Sequence, residues 1–209
     1  MVRHESKLCR GALCAVVALA VAGVAACGGQ NGGSAGADDE ATGEAPTAGQ
    51  VRSDAEIAAV ASTLNMGEIQ QAEIAQAKAQ SPEIKSFAQH MISEHGNAER
   101  RQAALLGGLG VAPQENEVSR AIRAEAGAMT ASLRDQPPGP SFDRAYADSQ
   151  VAMHQRGLQV LDTQLIPKAE RPELRQELVQ TRASVARHLA QAQALQASLA
   201  AAGQEAPEK

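Results

Sequence analysis

An all-α fold is predicted for this chain, a bundle of four long antiparallel helices with an extra connecting helix between the second and the third. Three features indicate it. After residue 50 no segment alternates apolar and polar residues as a half-buried strand does. Apolar residues recur instead every three or four positions over long stretches. Aromatic residues make up only 1% of the chain, so Ala-rich helices must approach closely to bury a core.

The first 26 residues are predicted to be a removable signal peptide. Three basic residues precede an uncharged stretch, residues 11–26, which is marginal in length for a membrane span. Small residues then lead to Cys27, an order that resembles the bacterial lipobox, where the cysteine thiol accepts a diacylglycerol. An uncleaved anchor and an ordinary signal peptide are the alternatives. The prediction is a protein anchored in the cell envelope by the lipid on Cys27, facing the periplasm from the outer membrane where two membranes exist.

Residues 27–52 are predicted to form a disordered tether, because they are mostly Gly, Ala, Ser, Asp and Glu and have almost nothing to bury. Without the signal peptide, 19 minus 3 basic and 24 minus 1 acidic residues remain, a net charge of −7. Nucleic acid is therefore a poor partner. Since Cys27 is the only cysteine left, no disulfide and no free thiol chemistry are expected.

Capping signals divide residues 53–201 into helices and leave 202–209 as a disordered tail. Ser53 begins a capping box at the start of helix one, and Ser81, followed by a proline and an acid, begins helix two. The expected end of helix two is the glycine pair Gly107-Gly108.

The second half of the domain contains three further helices. The connecting helix is predicted from Glu115 to Arg134, where a proline-rich segment ends it. Ser141 is the expected cap of helix three, which continues to about Leu165. Helix four carries apolar residues at helical spacing as far as Leu199.

Each long helix places one side chain of the type that binds metals on its apolar face: Glu68, His95, His154 and His188. At 100° per residue, Glu68 and His95 fall at the centres of their apolar stripes, whereas His90 lies about 100° to the side. Counted from the turns between helices, Glu68 and His95 are level, and His154 and His188 are offset by about 6 Å. His188 is thus the weakest member of the set.

Several of these residues resemble a known family. The matching pieces are Phe87-Ala88-Gln89-His90-Met91-Ile92-Ser93-Glu94-His95, Phe142-Asp143-Arg144-Ala145-Tyr146, Gln150-Val151, His154 and His188. They are similar to domain of unknown function 4142, a ferritin-like helical family of bacterial envelope proteins, over roughly residues 54 to 200 by the usual reach of such matches. The family usually has Asp where Glu94 stands. The resemblance implies a ferritin-like bundle and no established activity.

An enzyme without a known motif is the least favoured of the alternatives. The ferritin-like di-iron enzymes need Glu-x-x-His on two helices, and Ile92 and Val185 stand three residues before the two histidines concerned. The sequence motifs of serine hydrolases, zinc proteases and haem attachment are also missing.

Two interpretations of the inward polar residues stay open. In one, an envelope protein with a structural or stress-related role pairs its buried Glu and His side chains with each other. In the other, they bind one transition-metal ion, either zinc, iron, manganese or copper(II), and Met91 and Met153 add copper(I) to the choices. Asp143 and Tyr146 are candidate hydrogen-bond partners of the ligands; a helix-dipole role and a core role are their alternatives.

Overall fold

The computed structural model describes residues 49–204, and within that range every regular element is helical. The prediction of an all-α helical bundle is confirmed. The predicted signal peptide, the acylation site Cys27 and the tether as far as residue 48 lie outside the described residues, and so does the end of the tail from residue 205. None of the helices in the described part is both long and apolar enough to cross a membrane.

Four helices form the bundle and a fifth packs on its outside. Consecutive helices α1 and α2 form one hairpin and α4 and α5 form the other; α1 also contacts α4, and α2 contacts α5. Helix α3 lies against α1 and α4. The helices are α1 (Asp54–Lys78), α2 (Pro82–Leu109), α3 (Glu117–Asp135), α4 (Pro140–Val160), which continues as a π-helical turn (Leu161–Leu165), and α5 (Pro172–Gln204).

Two of the predicted caps are present. The Ser53 hydroxyl accepts a hydrogen bond from the backbone N–H of Glu56 at 3.3 Å, and the Ser81 hydroxyl accepts one from Ile84 at 3.2 Å. Each therefore satisfies one of the free N–H groups of its first helical turn.

Three helix ends differ from the predicted positions by a few residues. Helix α2, expected to end near Gly107-Gly108, ends at Leu109, and its C-cap is Gly110, whose left-handed φ of 65° suits glycine. Helix α4 begins at Pro140 rather than being capped by Ser141, because a first-turn proline has its φ already set for a helix. Helix α5 extends to Gln204, past the expected boundary at residue 201.

An aspartate from the opposite hairpin holds each of the two tight turns. Asp54, at the start of α1, accepts hydrogen bonds from the backbone N–H groups of Glu170 and Arg171 at 2.9 and 3.2 Å. Asp143, in the first turn of α4, does the same for the α1–α2 turn, from Gln80 and Ser81 at 3.0 and 2.8 Å. These buried carboxylates fix how far the hairpins can slide along each other.

The bundle interior has an apolar core at each end and a polar layer between them. The Leu178 core comprises Val51, Ile57, Ala58, Val60, Ala61, Leu106, Val118, Ile122, Val160, Leu161, Leu165, Ala169, Leu174, Leu178 and Val185. The Phe142 core comprises Ala72, Ala75, Ala79, Ile84, Phe87, Ala88, Met91, Leu133, Phe142, Tyr146, Ala147 and Ala192. The histidine layer comprises the buried polar residues Asn65, Glu68, Gln71, His95, Gln150, His154 and His188.

Candidate metal centre

Three imidazoles from three helices meet in the histidine layer. His95 comes from α2, His154 from α4 and His188 from α5, and all three are buried. Their ring centroids are 5.3 Å (95 to 188), 5.5 Å (154 to 188) and 5.7 Å (95 to 154) apart. One ring nitrogen of each histidine lies within 4.8 Å of one ring nitrogen of each of the other two. The bundle thus gathers three histidine ligands at one point.

The orientation and tautomer of His95 are set by a chain of hydrogen bonds. The Glu99 carboxylate accepts from the Asn65 amide nitrogen at 3.2 Å, so the Asn65 carbonyl oxygen must face the other way. That oxygen lies 3.1 Å from His95 Nδ1 and can only accept, so Nδ1 carries the proton. The lone pair of the neutral ring is therefore on Nε2.

His154 is held in the same tautomer by a different acceptor. Its Nδ1 donates to the backbone carbonyl of Gln150, one turn earlier on α4, at 2.8 Å. The Glu68 Oε1 atom is 3.4 Å from the same nitrogen. Since both neighbours are acceptors, the proton stays on Nδ1 and the lone pair is again on Nε2.

One nitrogen of each ring has no partner among the described residues. His95 Nε2, His154 Nε2 and His188 Nδ1 are buried and make no hydrogen bond. Leaving a buried polar atom unpaired costs about 1–3 kcal/mol, and native proteins rarely leave several together. Three such atoms on three rings that lie together are typical of a ligand site.

Burial also keeps two of the rings uncharged. It lowers the pKa of His95 well below the ordinary value, with the neighbouring His154 and His188 as further causes. It lowers the pKa of His188 to about 3, helped by His154 and His90. Neutral imidazole is the form that binds a metal ion.

Glu68 lies behind His154 rather than among the three converging nitrogens. Its Oε1 contacts the Nδ1 side of that ring, and its Oε2 is buried without a partner in the described structure. Burial raises its pKa, and the neighbouring His154 is the main opposing cause. A carboxylate in this place orients a histidine ligand and strengthens its basicity, as in carboxylate–histidine–metal arrangements.

The two other candidate residues have different surroundings. Asp143 is used by the α1–α2 turn, where it accepts from Gln80 and Ser81. Tyr146 is fully buried in the Phe142 core with its hydroxyl unpaired among the described residues. Burial raises its pKa well above the ordinary value, and the charge of Glu68 adds to the rise. Tyr146 therefore lies near the carboxylate and Asp143 does not serve the histidines.

The helical path of α4 explains why His188 reaches the other rings. Backbone hydrogen bonding continues through the π-helical turn to Ala169, whose N–H donates to the carbonyl of Leu165. The reversal then falls between Glu170 and Arg171, where Asp54 holds it. His154 is 16 residues before the first of these (170 − 154) and His188 is 17 after the second (188 − 171). The two are therefore nearly level, whereas a turn centred on Ala169, the position assumed from the sequence, separates them by about 6 Å.

Sequence reasoning missed the residues that orient the ligands. Asn65 precedes Glu68 by three positions, and Glu99 follows His95 by four, so each lies one helical turn from a candidate ligand on the same face. A search for polar residues at that spacing would have found both.

The distances allow one metal ion after a small adjustment. Two nitrogens bound to one tetrahedral zinc at 2.0–2.1 Å are about 3.3 Å apart. The ligand atoms here lie within 4.8 Å of one another, so each must move inward by at most about 1 Å, which side-chain rotation supplies. Two metal ions would need several bridging carboxylates, and Glu68 is the one acid in the layer.

Comparison with known proteins places the chain in a family. No curated protein matches it, and no solved structure matches it. The sequence model of the family described as domain of unknown function (DUF4142) matches residues 39–195, which is 157 of 209 positions (195 − 39 + 1). The chain belongs to the DUF4142 family.

Proposed function

We propose that this protein binds a single divalent transition-metal ion at His95, His154 and His188. The observation that carries the proposal is the convergence of three buried imidazoles, each of which has a ring nitrogen without a hydrogen-bond partner in the described structure. In His95 and His154 the Nδ1 atom is held by a hydrogen bond that keeps the lone pair on Nε2, free to bind an ion. Metal-binding histidines are oriented in this manner.

A purely structural network accounts less well for the same side chains. Such a network lowers the free energy only when its members satisfy one another. The contact between Glu68 and His154 uses one nitrogen of that ring, and His95 and His154 each keep an unpaired lone pair on Nε2. A neutral His188 has a single N–H and can satisfy only one of these lone pairs, whereas a bound cation satisfies both.

The donor set favours zinc or copper(II). Three imidazoles without a thiolate or a coordinating carboxylate suit the ions at the upper end of the divalent affinity series. A cavity of about 30 Å³, lined partly by Glu68, His95 and His154, adjoins the rings. That volume holds one water molecule, which can occupy the fourth position of a tetrahedral ion. We expect a four-coordinate site with three histidines and one exchangeable ligand.

Zinc titration of the untagged full-length chain tests the proposal. One equivalent is expected to bind, and free zinc at about one hundred times the dissociation constant should add about 2.7 kcal/mol to the free energy of unfolding. For a domain of this size that is a rise of about 5–10 °C in melting temperature.

The single variants His95→Gln, His154→Gln and His188→Gln are each expected to lose most of this shift, because each removes one ligand. Thr130→Val is the matched control, since Thr130 is buried in α3 and bonds only its own helix. The proposal fails if neither zinc nor copper binds the wild type, or if the three variants bind like the control.

We also propose that the domain is held at the cell envelope by a lipid on Cys27. The support is the sequence Val24-Ala25-Ala26-Cys27 after a short apolar stretch, and a lipid anchor is compatible with helices that do not meet the length and hydropathy of a membrane span. Expression of Cys27→Ser in a bacterium is expected to leave the precursor without acyl label. A serine variant that still incorporates labelled fatty acid would contradict the proposal.

A further inference from the structure

A surface groove lies between the beginning of α2 and the second half of α5. Its volume is about 760 Å³, and α5 contributes Gln191, Ala194 and Leu195 to its wall. Helix α2 contributes Pro82, Glu83, Ser86, Phe87 and His90. Contact between α2 and α5 is much less extensive than contact between α1 and α2 or between α4 and α5. The seam between α2 and α5 is thus more open than the seam within either hairpin.

His90 connects this groove with the metal centre. Its side chain is exposed and lines the groove, and its ring centroid lies 5.4 Å from that of His188 at an interplanar angle of 84°. His188 in turn lies 5.3 Å from His95 and 5.5 Å from His154. Four imidazoles therefore form a continuous path from solvent to the buried site.

A metal ion needs such a path. Moving a bare divalent ion through an apolar interior is prohibitively costly, so an ion enters by exchanging water for protein ligands one at a time. Glu83, Ser86 and His90 are spaced by three and four residues and share one face of α2, where they line the groove. The Glu83 carboxylate is exposed and attracts cations toward the imidazole.

We propose that this groove is the entry port for a divalent transition-metal ion, and that His90 is a transient ligand that transfers the ion to His188. The proposal rests on the proposed function of the buried site and adds the route by which it is filled. His90 is not one of the three residues whose ligand atoms lie within 4.8 Å of one another. Its contribution is therefore to the rates of loading and release, and the affinity is set by the three buried rings.

Measurements of rate and of equilibrium affinity separate the role of His90 from the role of the three buried histidines. Zinc binding by the untagged full-length chain is measured by competition with a chromophoric chelator, and loading and release are followed by stopped-flow mixing. In His90→Gln both rates are expected to fall by about tenfold, which corresponds to about 1.4 kcal/mol in the barrier. The dissociation constant should stay within about twofold of the wild type, since a group that binds the ion only on the way changes both directions equally.

Two further variants show whether the coordinating atom matters. His90→Glu retains an atom that can bind zinc and should load at close to the wild-type rate. Gln180→Ala changes an exposed residue of α5 that lies outside the groove and should also load normally. Equal slowing in Gln180→Ala and His90→Gln would overturn the role of His90.

The remaining outcomes distinguish this inference from the proposed function. Zinc binding by the wild type with unchanged rates in His90→Gln overturns the port and leaves the buried site intact. A dissociation constant weakened tenfold or more in His90→Gln overturns the transfer role in favour of a permanent fourth ligand. Failure of the wild type to bind zinc or copper at equilibrium overturns the buried site and the port with it.

Discussion

The Leu178 core and the histidine layer share the four bundle helices, yet their buried atoms are satisfied in opposite ways. Every side chain of the Leu178 core is apolar and packs against others of its kind. The layer holds six buried side-chain atoms without a partner in the described structure, on Glu68, Gln71, His95, Gln150, His154 and His188. Apolar burial lowers the free energy of the folded state, and unpaired polar burial raises it. The apolar ends therefore hold in place a middle layer that would not form by itself.

The largest effect on stability is expected from removing an apolar side chain from the Leu178 core. Leu178 is 1% exposed, so Leu178→Ala leaves a cavity and is expected to cost about 2–5 kcal/mol in urea unfolding. The adjacent Val179 is 50% exposed, and Val179→Ala should change stability by no more than about 0.5 kcal/mol. Similar losses in both variants would show that the apolar end does not supply the folding free energy.

Acid is expected to act next most strongly, through the layer. The pKa of His188 is about 3 in the folded chain, lowered chiefly by burial, against 6.5 for the ordinary group. Between those values only the unfolded chain binds the proton. Each unit by which the pH is lowered in this range therefore reduces the free energy of unfolding by about 1.4 kcal/mol for this residue. His95, whose pKa is also lowered by burial, adds to the fall.

Glu68 opposes the histidines over part of this range. Burial raises its pKa, so above pH 4.5 the folded chain keeps a proton that the unfolded chain has lost. Below pH 4.5 both states hold it and the opposition ends. The free energy of unfolding of the metal-free protein, measured in urea from pH 7 to 3.5, should therefore fall more steeply per pH unit at the acid end. The same plot for His188→Leu should have a shallower slope. Identical slopes would contradict the lowered pKa of His188.

A smaller effect on stability is expected from substitution of Gly67, where α3 packs closely against α1. A Cβ added to Gly67 would lie 2.9 Å from Ala126 Cβ and 3.3 Å from Met153 Cε. Gly67→Ala should therefore cost about 1–3 kcal/mol through overpacking, although alanine by itself favours a helix. Gly127→Ala meets no atom within 4 Å and should gain up to about 1 kcal/mol. Thermal unfolding of the pair measures this; a gain in both would contradict the close contact.

The smallest effect has the opposite sign. His188→Leu replaces a buried ring that has an unpaired nitrogen with an apolar side chain of similar reach. The metal-free protein is expected to become about 1 kcal/mol more stable in urea, while the zinc-dependent rise in melting temperature disappears. Destabilisation of the metal-free variant would mean that the layer contributes to folding by itself.

Helix phase predicted the candidate ligands from local information. Glu68 and His95 lie at the centres of apolar stripes, and both are buried; His90 lies about 100° to the side of its stripe and is exposed. The phase of a residue depends only on counting along its own helix. For the same reason the caps at Ser53 and Ser81 were predictable, whereas the end of α2 was not, because any of the glycines near residue 108 fits a helix end.

Counting along one helix does not predict how residues on different helices lie relative to one another. The level of His188 depends on the π-helical turn Leu161–Leu165 and on the Asp54 carboxylate that holds the following reversal. The place of Glu68 behind His154 depends on which side of the ring faces α1. Neither is a property of a single segment.

The sequence by itself determined the all-α fold, the long helices and the inward face of each, because hydrophobic period, capping and proline geometry act within a few residues. Only the tertiary structure decided that His95, His154 and His188 meet, and that His95 Nε2, His154 Nε2 and His188 Nδ1 are buried without a partner in the described structure. That outcome depends on the rotamer of each of the three histidines and on the position of each of the three helices along the bundle axis. Contacts far apart in the chain set both, among them the hydrogen bonds of Asn65, Glu99 and Asp54.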